Sequence, residues 1–107
     1  MSNVMQRALR ITAPLCALWL ACGAAHATAY CEVKPTRDGF VMLRAAPAAA
    51  AKPLARMAPG DEVMLLPERR AGWVRVRWWR GDERLSRGFP HARGEGWVHA
   101  ALLDVCG

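Results

Sequence analysis

Two stretches decide the fold: GWVRVRWWR, Gly72 to Arg80, and GEGWVHAALL, Gly94 to Leu103. In the first, Val74 and Val76 alternate with Trp73, Arg75 and Arg77. A period of two puts the valines on one face of a strand and the tryptophan and arginines on the other. Gly-Trp-Val is written twice, at Gly72-Trp73-Val74 and at Gly96-Trp97-Val98. Arg-Val follows the first copy and His-Ala-Ala-Leu-Leu the second, so the flanks do not repeat and a duplication does not explain the pair. Two strands with a shared local need explain it better. Glycine lets a neighbouring backbone approach, tryptophan covers the outer or rim surface, and valine points into the core.

The same alternation appears in short bursts on either side. Val41 and Leu43 alternate with Met42 and Arg44, and Val63 and Leu65 with Glu62 and Met64. Pro59-Gly60-Asp61 supplies a turn, and Leu54 and Met57 belong to a short strand entering it. The alanine run Ala48 to Ala51 would suit a helix, but Pro47 and Pro53 bracket it, which predicts a loop. The expected fold is all-β, a small barrel of five or six strands, with an open meander of the same strands as the alternative. Val41, Leu43, Leu54, Val63, Leu65, Val74, Val76, Val98 and Leu102 are expected to point inward.

At 107 residues the chain has room for one domain. Arg7 and Arg10 precede the apolar run Ile11 to Ala21, and Ala25-His26-Ala27 follows. This reads as a secretory signal over residues 1–27, cleaved before Thr28, leaving a domain over 28–107. The apolar run falls short of the ~20 residues of a membrane span. An uncleaved anchor and a lipoprotein built on Cys22 are the alternatives. The localisation expected is exported, periplasmic or extracellular, with no transmembrane segment after cleavage. Two of the 15 basic residues leave with the signal and none of the 9 acids does, so +6 becomes +4. Outside the cytosol such a balance points away from nucleic acid and toward anionic envelope polymers, lipid headgroups or an acidic protein, or simply to an arginine-rich composition. Cys31 and Cys106 remain at the two ends of the mature chain, and an oxidising compartment predicts a disulfide between them. Closing so long a loop would contribute about 4 kcal/mol. A metal site from these cysteines with His91 and His99 lacks finger-like ligand spacing, and no cofactor is expected.

GFVMLRAAP, LARMAPGDEV, AGWVRV and GEGWVHAALL occur in that order, and together they resemble a bacterial SH3 domain, the exported SH3b-type small barrel. Arg44 and Pro47, Gly60 and Asp61, Gly72, Trp73 and Val76, and Gly96, Trp97 and Val98 stand at the matching places, over roughly Tyr30 to Val105. The resemblance implies an SH3-like barrel and a binding rather than catalytic role. Two departures stand out. Met42 occupies a position where the family commonly has asparagine. The family's short turn between the last two long strands is replaced by residues 78–95, an extended hairpin or a loop insertion.

No catalytic constellation is legible. Ser86, the one serine after residue 27, lies in no Gly-x-Ser-x-Gly turn. Asp61-Glu62 and Asp82-Glu83 are adjacent pairs whose side chains diverge on extended backbone. The expectation is therefore an exported, monomeric, non-enzymatic binding module for an envelope protein or peptide. Alternatives are a peptidoglycan-binding module and an accessory or inhibitor capping an envelope enzyme. Leu102 stands where proline-rich-peptide-binding SH3 domains carry a groove tyrosine, so that ligand is not expected. The expected contact residues are Trp73, Trp78, Trp79, Arg80 and Phe89, since aromatics with arginines resemble interaction hot spots. Trp78 could equally continue the Val74-Val76 face into the core, so Trp79 is expected to be the better surface probe.

Overall fold

The period-two valines of Gly72–Arg80 do form the central strand. A computed structural model describes residues 28–88 and 91–107, so the expected signal segment over residues 1–27 and Phe89 lie outside the described residues. Strands β1 (Tyr30–Val33), β2 (Val41–Arg44), β3 (Pro53–Met57), β4 (Glu62–Arg70) and β5 (Trp73–Trp79) are followed by a one-turn helix α1 (Glu83–Ser86). Strand β6 (Gly94–His99), a 3-10 turn (Ala100–Leu102) and β7 (Leu103–Asp104) complete the chain. All pairings are antiparallel, in the order β3-β2-β6-β5-β4-β1-β7. The sheet curls into a small SH3-like barrel. Seven strands stand where five or six were expected, because β1 and the two-residue β7 are too short to announce themselves by alternation.

Cross-strand partners share a face, so the register assigns inside and outside. Val74 faces Val98 and Val76 faces Gly96 on the inner side, joined by Val41, Leu43, Met57, Val63 and Leu103. Leu65 and Leu102 pack against this cluster from its margin, half-buried. Leu54 does not point inward as expected; it is 46% exposed. Leu43 pairs with Ala55 and Val41 with Met57, so residues 55 and 57 take the inward positions and Leu54 falls outside them. At the other end, Leu102 lies in the 3-10 turn and Leu103 takes the buried place.

The two glycines of the repeated tripeptide meet different needs. Gly72 follows Ala71 in a two-residue hairpin turn, with φ of +88° and +46° respectively, the positive-φ pair of a type I′ turn. A Cβ on Gly72 would also sit 2.8 Å from His99 Nε2. Gly96 has ordinary φ, but a Cβ there would come 2.7 Å from the Arg44 carbonyl oxygen. Glycine at 96 lets β2 lie against β6.

Cys31 and Cys106 are disulfide-bonded, their Cα atoms 4.0 Å apart and 75 positions apart in sequence. Beside the bridge, the Tyr30 amide donates to the Gly107 carbonyl at 3.2 Å and the Gly107 amide to Tyr30 at 3.0 Å. β1 is thereby held between the carboxy terminus and β4. Among the described residues no helix is long and apolar enough to cross a membrane.

Candidate binding groove

Residues 80–88 and 91–93 form a folded wall, and three carboxylates on the barrel and the wall itself hold it in place. Asp61, in the turn before β4, is only 2% exposed. Its Oδ2 accepts from Trp78 Nε1 at 2.9 Å, from the Ala58 amide at 2.8 Å and from the Arg80 guanidinium at 3.2 Å. Its Oδ1 accepts from the Gly81 amide at 2.7 Å. One side chain thus ties the turn before β4 to the end of β5 and the start of the wall. Buried carboxylates persist in proteins when their oxygens are hydrogen-bonded in this way.

Glu83, 7% exposed, repeats the arrangement inside the wall. Its Oε1 accepts from the Arg80 amide at 2.7 Å and from Arg93 Nε at 2.6 Å, while Oε2 accepts from the other side of the Arg93 guanidinium at 3.0 Å. The Arg93 hydrogen bonds, and then the Arg80 amide, hold the Glu83 carboxyl below its ordinary range against burial, which pushes the other way. Glu62 of β4 accepts a two-pronged pair from Arg84, at 2.7 and 3.1 Å. That pairing pushes the Arg84 guanidinium further toward its charged form. Arg84 also lies over Tyr30, 3.8 Å from the ring centroid, and 5.6 Å from that of Trp79. Two-pronged arginine–carboxylate pairs fix geometry as well as charge.

Between this wall and the outer face of β1, β4 and β5 runs an open groove of about 690 Å³. Tyr30, Met64, Arg77, Trp79, Gly94 and Glu95 line it from the barrel, and Arg84, Gly88, His91 and Ala92 from the wall. Tyr30 and Trp79 rings meet at a 57° tilt, centroids 6.4 Å apart. Glu95 accepts from Arg77 at 3.1 Å and pairs with Arg75 at 2.5 Å across the upper rim. The groove therefore combines an aromatic and thioether floor with arginine, glutamate and histidine at its margins. Such a mixture suits a peptide-like ligand, with apolar contact below and a few polar groups for orientation.

The expected contact residues separate into distinct places. Trp78 joins the core at 6% exposure, its indole held by Asp61 and its ring 5.0 Å from the Arg80 guanidinium. Trp79 is not the exposed probe expected of it: it is 3% exposed, packed beneath Tyr30 and Arg84 as part of the groove lining. Arg80 is committed to Asp61, with its side chain about half exposed at 46%. Trp73 lies away from the groove lining, at the hairpin end of β5, edge-on to His99 with centroids 5.5 Å apart. Tyr30, Met64, Arg84 and His91 were not anticipated. Tyr30 and Arg84 in particular are brought together only by β1 and α1, two elements with no strong local signal. Among the described residues no group of three His, Cys, Asp or Glu is placed to hold a metal ion.

A family model described as bacterial SH3 domain matches residues 39–104. Comparison with curated proteins and with solved structures gives no match. The matched span runs from just before β2 through β7 and includes the wall, whereas Cys31 and Cys106 both lie outside it. It covers well over half of the chain, and the chain belongs to the bacterial SH3 domain family.

Proposed function

We propose that this bacterial SH3 domain is an exported, non-enzymatic binding module that takes a segment of an envelope protein or peptide into the groove beside β5. The observation that supports this most is the wall over residues 80–88 and 91–93, fastened by Asp61, Glu62 and Glu83 so that the groove is preformed. A preformed site avoids the ordering cost that a flexible loop would meet on binding. The bridged cysteines are compatible with an oxidising compartment.

Ala92, half-buried in the groove lining, gives the test. Ala92→Trp fills the groove without touching the carboxylates that hold the wall. Crosslinked capture from an envelope fraction is compared for wild type and Ala92→Trp, alongside co-sedimentation of each with purified peptidoglycan. The reading expects a defined protein or peptide with the wild type, strongly reduced with the variant, and no co-sedimentation. Equal capture by both proteins would overturn it, and co-sedimentation without a protein partner would turn the assignment to a cell-wall module.

A further inference from the structure

The groove and its wall hold most of the ion pairs: Arg77, Arg80, Arg84 and Arg93 each face a carboxylate. The opposite end of the sheet is different. Among the described residues no carboxylate pairs with Arg44, Lys52, Arg69 or Arg70. Arg69 and Arg70 close β4 at the hairpin, Arg44 closes β2, and Lys52 immediately precedes β3, which begins opposite Arg44. Four cations without a carboxylate partner therefore gather where β2, β3, β4, β5 and β6 share one end, while Lys34, Arg37, Arg56 and Arg87, likewise without one, lie elsewhere.

The register places two tryptophans within this charge. Arg70 pairs with Trp73 and Trp73 with His99, making one cross-strand row on the outer face. Arg75 pairs with Trp97 and Trp97 with Arg44, making the next. The first row sets an indole between Arg70 and His99, and the second between Arg44 and Arg75, the last also paired with Glu68 and Glu95. The two tryptophans are diagonal neighbours whose backbone positions are about 7–8 Å apart. Both are only half-buried, and neither indole N–H meets an acceptor among the described residues. An indole so placed usually finds a partner for its polar edge. The core does not need these rings, since Val74 and Val98 fill the inner side of the same strands.

We infer that this outer face, built on Trp73 and Trp97 with Arg44 and Arg70, is a second binding surface, and that its ligand is an acidic polysaccharide. The flat apolar faces of successive sugar rings lie on the two indoles. The indole N–H groups donate to ring hydroxyls, and the uncompensated arginines meet the carboxylates. An open sheet face suits an extended, repeating chain better than a folded protein, which needs a pocket for its anchor residues. Charge alone would hold any polyanion, so the tryptophans carry the selectivity.

The measurement is binding of purified residues 28–107 to oligo-uronates cut from alginate, by titration of tryptophan fluorescence at low and at physiological salt. Neutral chito-oligosaccharide, inorganic polyphosphate and duplex DNA are run beside it. Binding of the oligo-uronate in preference to all three, weakened by salt, is the expected result. Trp97→Ala should reduce affinity about tenfold or more, as buried aromatic anchors do. Arg69→Gln with Arg70→Gln alters only exposed side chains and so serves even where Trp97→Ala disturbs the fold; it should weaken binding and flatten the salt dependence. Ala92→Trp should leave this binding unchanged. Equal affinity for polyphosphate or DNA, insensitive to Trp97→Ala, would reduce the face to a charge patch and overturn the inference. So would equal affinity for the neutral sugar, or no oligo-uronate binding.

Discussion

Asp61 is the residue on which the candidate site depends. Asp61→Ala leaves the Trp78 indole N–H and the amides of Ala58 and Gly81 without their acceptor. A buried donor left unpaired, as the indole would be, costs about 1–3 kcal/mol, and the two half-buried amides less, so a loss of about 2–3 kcal/mol is expected in denaturant unfolding. A loss under 1 kcal/mol would mean that the wall does not rest on this carboxylate. Gly96→Ala is the matching test of close approach. Its Cβ would meet the Arg44 carbonyl oxygen at 2.7 Å and Leu43 and Leu54 side-chain carbons at 3.0 Å, so β2 must shift. Overpacking of this kind costs about 1–3 kcal/mol, and the same unfolding measurement reads it. At this scale the sequence is legible wherever alternation governs. The inward valines follow from period two, and the tryptophans of both Gly-Trp-Val copies lie outward as that pattern requires. It is not legible at Asp61, because nothing local to Gly60-Asp61 announces that an indole seventeen positions later and a backbone amide twenty positions later converge on one carboxylate.

The wall is the element that distinguishes this barrel. Its length and its aromatic–arginine composition were visible in residues 78–95, but its shape was not. A one-turn helix has too few residues for periodicity, and the ion pairs that fold it join α1 to β4 and to residue 93 across the chain. Trp78 and Trp79 show the same limit. Alternation separates them onto opposite faces, yet both are buried, because the wall covers the face that alternation alone leaves open to solvent. Glu83 gives the wall a pH signature. Its carboxyl is held below the ordinary range by Arg93 and Arg80, so its stabilising contribution is complete above the unfolded-chain value of about 4.3. That contribution is lost as pH falls through the lowered native value. Amide NMR signals of Arg80 through Arg87 should therefore hold steady from neutral pH to about pH 5 and change only below the ordinary carboxylate range. Glu83→Gln should weaken them at neutral pH while the β4 and β5 signals persist. A transition of the wall near pH 6 in the wild type would contradict this account.

Over the whole molecule, the Cys31–Cys106 bridge joins the two strands that alternation did not reveal. β1 and β7 are neighbours in the sheet, and without the bridge β7 contributes only a two-residue pairing. Cys106→Ala should lower stability by about 2–5 kcal/mol. Because Tyr30 and the β1 edge line the groove, the same variant should also loosen the binding site. Thermal unfolding of the oxidised protein, the reduced protein and Cys106→Ala measures this directly, with the last two expected to coincide. The bridge was legible from cysteine count and the expected compartment; the groove was not, because its lining comes from five separated segments of chain. The central claim is that ligand enters that groove, and a photo-crosslinking residue placed at His91 tests it most directly. In cells, His91 in the groove lining should give a discrete adduct with an envelope protein or peptide, and Ala49, on the exposed loop between β2 and β3, should not. The same adduct from both positions, or from Ala49 alone, would contradict the account.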